Sequence, residues 1–286
     1  MCRFVVYLGP SLPLSALLTE PSNSLINQSY DDQDREEPLN GDGFGVAWYR
    51  PEVGPEPALF RSISPAWSNR NLRQLARVTQ SGCILAHIRS ATQGLLVAES
   101  NCHPFVHGRL AFMHNGDLAG FSGLRRRLLA ELSDEAFAAI EGSTDSEHIF
   151  AVCLDMLLQA RAADPAEALA EALRAALRRV LALAAGVRDP HYLNLAVSDG
   201  RAAVVSRVST DPSGHAASLF YNAGQRYTCA NGVCRMIRRP HEPGAVIVSS
   251  ERLSDDPGWE AVPVNHLVIV GADLSVRVTP ADVGAC

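Results

Sequence analysis

The feature that most constrains this chain is a change of period along its length. Residues 124–186 read as mostly helical, and short β-like runs lie on both sides of them. Before the helical middle, residues 3–8 and 45–49 read as strands, 69–78 as a helix and 83–88 as a buried strand. Residues 109–114 form a further predicted strand, closed by the turn pair Asn115-Gly116. After it come strands at 192–197, 202–208, 218–221, 245–249 and 266–270. Strands, then helices, then strands again predict a layered α+β fold. Without internal repeats or a linker, residues 2–286 read as a single domain whose catalytic motifs are concentrated in 2–150.

Within the helical middle, Thr144-x-x-Glu147 is a capping box before the apolar run 149–158. It places Asp145 at the first helical position, beside free backbone N–H groups. Pro165 opens a second long helix that ends at Gly186. The aliphatic stretch 166–187 is interrupted by Glu167, Glu171, Arg174, Arg178 and Arg179, so it reads as an amphipathic helix and not a membrane span.

Composition excludes several classes. The formal net charge of −6 gives no electrostatic footprint for nucleic acid. The basic clusters Arg125-Arg126-Arg127 and Arg238-Arg239 are too short to supply one. Seven cysteines are scattered with no metal-ligand spacing, and Cys229 and Cys234 stand five apart without a second Cys/His pair. No metal or other cofactor is expected. A reducing compartment fits this cysteine usage, and the chain opens with no basic n-region or cleavage site, so a cytoplasmic location is expected.

Four local patterns carry chemistry. Cys2 follows Met1 directly, and loss of the initiator methionine would leave a cysteine with a free α-amine. That amine titrates near ~7.7–8.0, so nucleophile and base can belong to one residue. In His87-Ile88-Arg89-Ser90-Ala91-Thr92, a guanidinium suited to bidentate capture of a carboxylate stands near a hydroxyl. In Met113-His114-Asn115-Gly116, the Asn115 amide and the Gly116 N–H can form a pair of oxyanion donors, or merely a turn. In Gly142-Ser143-Thr144-Asp145-Ser146-Glu147, Asp145 can anchor an ammonium group, or serve only the helix start.

Taken in order with Asn-Gly-Asp-Gly-Phe-Gly at 40–45 and Asn-Cys-His-Pro at 101–104, these motifs resemble the class II glutamine amidotransferases. The resemblance is specific over about residues 2–150 and looser to about 252, where Ser249-Ser250-Glu251-Arg252 resembles a late Ser-Glu element. It implies the four-layer αββα sandwich of N-terminal nucleophile hydrolases. It also implies roles: Cys2 as nucleophile, Asn115 and Gly116 as oxyanion hole, Arg89 with Thr92 on the substrate α-carboxylate, and Asp145 on its α-amino group. His87, His103 and His114 read as supports. Two positions depart from the pattern, Ser90 where many relatives carry an aromatic residue and Asn40 where many carry glycine.

Met1-Cys2-Arg3-Phe4, the Pro-Ser-Asn-Ser-Leu-Ile-Asn-Gln-Ser of 21–29 and Ser64-Pro65-Ala66-Trp67 resemble the family's stand-alone branch. That branch includes the amidotransferase-like subunit of a glutathione-degradation complex and an ergothioneine-pathway amidohydrolase. The implied substrate is a small γ-glutamyl compound, glutamine or a γ-glutamyl peptide or thiol conjugate, cleaved through a Cys2 thioester. A metallopeptidase-like or synthase partner subunit is implied in turn. The alternatives are a glutaminase subunit feeding ammonia to a separate synthase, and a non-catalytic γ-glutamyl-binding regulator.

Overall fold

Successive residues of the first strand, β1 (Arg3–Pro13), enter two different cores. Val5 and Tyr7 pack to one side, while Phe4, Val6 and Leu8 pack to the other. This is the period of two expected of a strand whose faces are both covered. The computed structural model describes residues 2–30, 40–90, 97–230, 232–237 and 244–284.

In chain order β1 is followed by α1 (Ser15–Leu18), β2 (Phe44–Tyr49), β3 (Pro57–Ser62), α2 (Arg70–Val78) and β4 (Gln80–Ile88). Next come β5 (Phe105–His107), β6 (Leu110–Asp117), α3 (Phe121–Leu129), α4 (Asp134–Ala138), α5 (Asp145–Gln159) and α6 (Pro165–Ala184). The last part holds β7 (Tyr192–Ser198), β8 (Ala203–Ser209), β9 (Phe220–Gly224), β10 (Arg226–Ala230) and β11 (Val233–Ile237). It closes with β12 (Ala245–Ser249), β13 (Glu260–Ala261), β14 (His266–Val270) and β15 (Val276–Pro280).

Two antiparallel sheets result, ordered β13-β9-β12-β1-β4-β2-β3 and β15-β14-β8-β7-β6-β5. Between them lies an apolar layer built from Phe4, Val6, Leu85, Met113, Ala196, Val205, Val248 and Val268 among others. The outer face of the first sheet is covered by α1, α2 and the β10–β11 hairpin. The outer face of the second is covered by α3 to α6. Helix, sheet, sheet, helix is the four-layer αββα sandwich that the resemblance implies.

The helices start where their caps dictate. Asn69 accepts from the Leu72 N–H at 2.8 Å, Thr144 from Glu147 at 3.2 Å, and Asp164 from Glu167 at 3.0 Å with Pro165 next. The buried stripe of α6 (Leu169, Leu173, Ala176, Leu177, Val180, Ala184) repeats at helical spacing.

Three expectations need correction. Asn115-Gly116 is no turn: both residues lie inside β6, paired with Asn194 and Leu193 of β7. The glycine is needed for close approach, since a Cβ at 116 would stand 1.7 Å from the Tyr192 carbonyl oxygen. The capping box is only half formed. Thr144 caps, but the buried Glu147 carboxylate turns back to the N–H groups of Glu141 and Gly142, at 2.9 and 2.7 Å. Cys229 and Cys234, which the sequence reading left unpaired, face each other across β10–β11 and form a disulfide within one hairpin. Among the described residues no helix is long and apolar enough to cross a membrane, and no cluster of His, Cys, Asp or Glu could hold a metal.

Candidate active site

Strand register gathers the motifs at one end of the sandwich. Arg3 of β1 pairs with Ile88 of β4, so the next residues outward are Cys2 and Arg89. Ile88 also pairs with Phe44 of β2, and the ladder runs on into the glycine loop. There the Arg89 N–H donates to Gly43 O at 2.8 Å, and the Asp42 N–H donates to Arg89 O at 3.2 Å. Cys2 continues the parity of Phe4 and Val6, which directs it toward the space between the sheets.

The backbone of Ser90 holds the thiol. Its N–H donates to Cys2 Sγ at 3.4 Å, and its carbonyl accepts from the thiol at 3.5 Å. Burial pushes the Cys2 pKa up, opposed by the Ser90 N–H and by the charges of Arg89 and Arg3. The thiol is therefore neutral at rest and needs a base to become a nucleophile. Arg3 fixes the same segment: one nitrogen donates to Cys2 O at 3.0 Å while another pairs with the buried Glu251.

Arg89 is 3% exposed, and its Nη1 reaches only the Asp42 carbonyl, at 3.5 Å. Among the described residues it has no carboxylate partner. A buried guanidinium without a counter-ion is costly, and an anionic ligand would remove that cost. Thr92, the other half of the expected carboxylate clamp, lies outside the described residues.

The second sheet contributes Asn115, which is fully buried on the inner face of β6. Its Nδ2 donates to Ser250 Oγ at 3.4 Å, and the same oxygen accepts the Phe4 N–H at 3.0 Å. One amide hydrogen of Nδ2 therefore stays available, and Oδ1 has no partner among the described residues. Asp145, at the first turn of α5, receives the Leu118 N–H and the Ser146 N–H, each at 2.8 Å. Those bonds tie its carboxylate to the end of β6, three residues past Asn115.

The histidines brace this arrangement. His87 Nε2 lies 3.0 Å from the His114 carbonyl, and since a carbonyl only accepts, that nitrogen carries the proton. Burial pushes the His87 pKa down to about 3 and that of His103 well below its ordinary value, so both are neutral. Their rings lie 4.1 Å apart between the sheets. A Cβ at Gly45 would sit 2.1 Å from His103 O, so glycine admits that segment against β2. His114 Nδ1 is 2.9 Å from Ser146 Oγ and its Nε2 is 3.0 Å from Tyr192 O, which joins β6, α5 and β7. Asn40 is buried and binds the carbonyls of Ser29 and Gln28, a structural use that explains a side chain there.

Sequence reasoning missed the position of Ser250, which joins β1 to Asn115. Its Ser-Glu element was visible, but its neighbours depend on β12 pairing with β1, nearly the full chain apart.

A nucleophile candidate on one sheet, an amide donor on the other, and an uncompensated cation beside them define an amidohydrolase-type site. Residues 18–281 match the family model described as glutamine amidotransferases class-II, and the chain belongs to that family. It is 40% identical over 293 residues to the probable glutamine amidotransferase DUG3 of Saccharomyces cerevisiae, covering 94% of this chain and 82% of that protein. It is 29% identical over 282 residues to the gamma-glutamyl-hercynylcysteine sulfoxide hydrolase of Mycolicibacterium smegmatis, covering 98% and 100%. Among solved structures, a glutamine aminotransferase class-II domain protein from Silicibacter pomeroyi superposes with a TM-score of 0.63. That pair is 30% identical, with 98% of this chain and 99% of the other covered. Glutamine phosphoribosylpyrophosphate amidotransferase from B. subtilis shares the fold at 15% identity and a TM-score of 0.58, over 98% of this chain and 49% of that one.

Proposed function

We propose that this enzyme hydrolyses the γ-glutamyl amide of a peptide or thiol conjugate, with Cys2 as nucleophile. The observation that carries the reading is the Cys2 thiol, neutral and held by the Ser90 backbone, beside the buried, uncompensated guanidinium of Arg89. Arg89 takes the substrate α-carboxylate, assisted by Thr92, and Asp145 takes the α-ammonium. With Met1 removed, the Cys2 α-amine accepts the thiol proton and the thiolate attacks the γ-carbonyl. Asn115 Nδ2 and the Gly116 N–H stabilise the oxyanion. The α-amine returns the proton to the leaving amine, and water then hydrolyses the γ-glutamyl thioester.

Residues 2–286 act as one catalytic domain in this reading, supported by a first sheet that draws strands from both ends of the chain. The name of one relative, the gamma-glutamyl-hercynylcysteine sulfoxide hydrolase, supports a γ-glutamyl substrate whose leaving group is larger than ammonia. A cytoplasmic setting and a metallopeptidase-like or synthase partner belong to the same proposal. The test is glutamate release from glutamine, glutathione and a larger γ-glutamyl thioether, with and without co-purifying protein. A preference for glutamine under both conditions would return the assignment to an ammonia-supplying glutaminase. No turnover by processed protein would favour the regulatory alternative.

A further inference from the structure

The first sheet has sulfur chemistry on both of its faces. Cys2 is directed between the sheets, whereas the Cys229–Cys234 disulfide lies in the β10–β11 hairpin on the outer face, packed there with Tyr227 and Met236. Disulfides in a reducing compartment are usually catalytic, transient or redox-sensing, so the surroundings of this one decide its use.

A cavity of about 310 Å³ opens beside it, with Leu12, Ala16, Glu20, Arg226, Tyr227 and Cys229 on its wall. That volume lies at the lower end of the ~300–1,000 Å³ usual for small-molecule sites. The two sulfurs differ in access. Cys234 is 5% exposed within the core, while Cys229 is half-buried on the cavity wall, its Sγ 3.4 Å from the carbonyl oxygen of Ala16 on the same wall. A thiol entering the cavity therefore meets Cys229, and Cys234 is the leaving group. Once reduced, the Cys229 thiol has the Ala16 carbonyl as a ready acceptor.

The wall also offers groups to hold such a ligand. Arg226 is exposed, with no carboxylate partner among the described residues, and a cation favours the thiolate form of an entering thiol. Tyr227 is 4% exposed, and its hydroxyl has no hydrogen-bond partner among the described residues. Burial raises its pKa, so it stays a neutral donor. Glu20, the acid on this wall, accepts from Ser15 Oγ at 2.6 Å.

We propose that Cys229–Cys234 is a thiol-exchange site for a small anionic thiol bound in this cavity. The thiolate attacks Cys229 Sγ and the bond to Cys234 breaks. Cys234 leaves as a thiolate and takes up the proton that the entering thiol gave to solvent. A second thiol attacks the mixed disulfide, so two small thiols become one small disulfide and the protein gains two thiols. This exchange is independent of the reaction assigned to Cys2.

The experiment runs the first step backwards in a Cys2→Ser background. Cys234→Ser and Cys229→Ser are treated with oxidised glutathione, and the adducts are mapped by peptide mass. Cys229 should react at least about tenfold faster than Cys234, because access sets exchange rates. Arg226→Gln should slow the adduct at Cys229 severalfold and leave its reaction with neutral hydroxyethyl disulfide unchanged. In the wild-type protein, excess reduced glutathione should open the disulfide, read as alkylation of Cys229 and Cys234. An equal or faster reaction at Cys234, or a disulfide that reduced glutathione leaves closed, would overturn the proposal. An adduct rate insensitive to Arg226→Gln would overturn the assignment to an anionic thiol.

Discussion

Asn115 and Ser250 meet across the two sheets, the Asn115 amide donating to a hydroxyl that also accepts the backbone N–H of Phe4. One oxygen thus sets the amide against the strand that carries Cys2. Ser250→Ala should lower kcat roughly two- to tenfold, the value of one such bond, and leave KM nearly unchanged. Ser250→Thr, which keeps the oxygen, should recover most of the loss. An equal fall in Tm and kcat that Thr does not rescue would make Ser250 merely structural.

Asn115→Ala should be more severe. In its proposed role the amide faces charge that develops only in the transition state, and removing one oxyanion donor typically costs about 10²–10³-fold in kcat. Steady-state kinetics separate the roles: a raised KM at constant kcat would assign Asn115 to ground-state binding.

Arg89→Ala should act mainly through KM, because the carboxylate it is proposed to bind keeps its charge throughout the reaction. The loss should be about 2–5 kcal/mol, as expected for a desolvated charge pair. Asp145→Asn should raise KM too, and should also lower Tm, because its carboxylate receives two backbone N–H groups. A variant with wild-type KM removes that residue from the clamp.

The active form should lack Met1. A buried thiol with a raised pKa is inert until a base takes its proton, and only a processed Cys2 has a free amine to do so. Intact mass measured on active protein tests this. Full turnover by a preparation uniformly retaining Met1 would exclude the N-terminal base, and Cys2→Ser should lose most turnover while still binding ligand.

Stability should fall in acid through His87. Its folded pKa is about 3, against about 6.5 for an unfolded histidine, so below the latter only the unfolded chain binds the proton. The contribution is complete above about pH 6.5 and is lost as pH falls toward 3. His87→Gln keeps a donor for the His114 carbonyl and removes this titration. Its stability-versus-pH slope should be shallower by up to about 1.4 kcal/mol per pH unit. Chemical denaturation at pH 7 and pH 5 gives the comparison, and identical slopes would mean that His87 does not titrate this way.

The candidate site was legible less from single residues than from the order of several short motifs, which resembles one family. Strand register brings Cys2 and Arg89 to one end, and Asp145 at a helix start is tied to the end of β6. The rest depends on pairings between distant segments. Asn115-Gly116 carries the signature of a turn, and only the presence of β7 alongside keeps it in a strand. The strands β3, β5, β13 and β15 lie at or near sheet edges, where one-sided pairing leaves a weak apolar pattern. The β10–β11 hairpin was missed for the same reason, and with it the disulfide.

The pairing of β1 with β12 has a further consequence. Nearly every motif that carries the resemblance lies before residue 150, yet the strand that follows Cys2 is flanked by one synthesised more than two hundred residues later. A chain cut shortly after α5 would keep its whole signature and lose β12, Ser250 and most of the second sheet. On a ribosome, therefore, β1 waits for β12 to emerge before its ladder is complete, and that pairing marks the meeting of two segments made far apart in time.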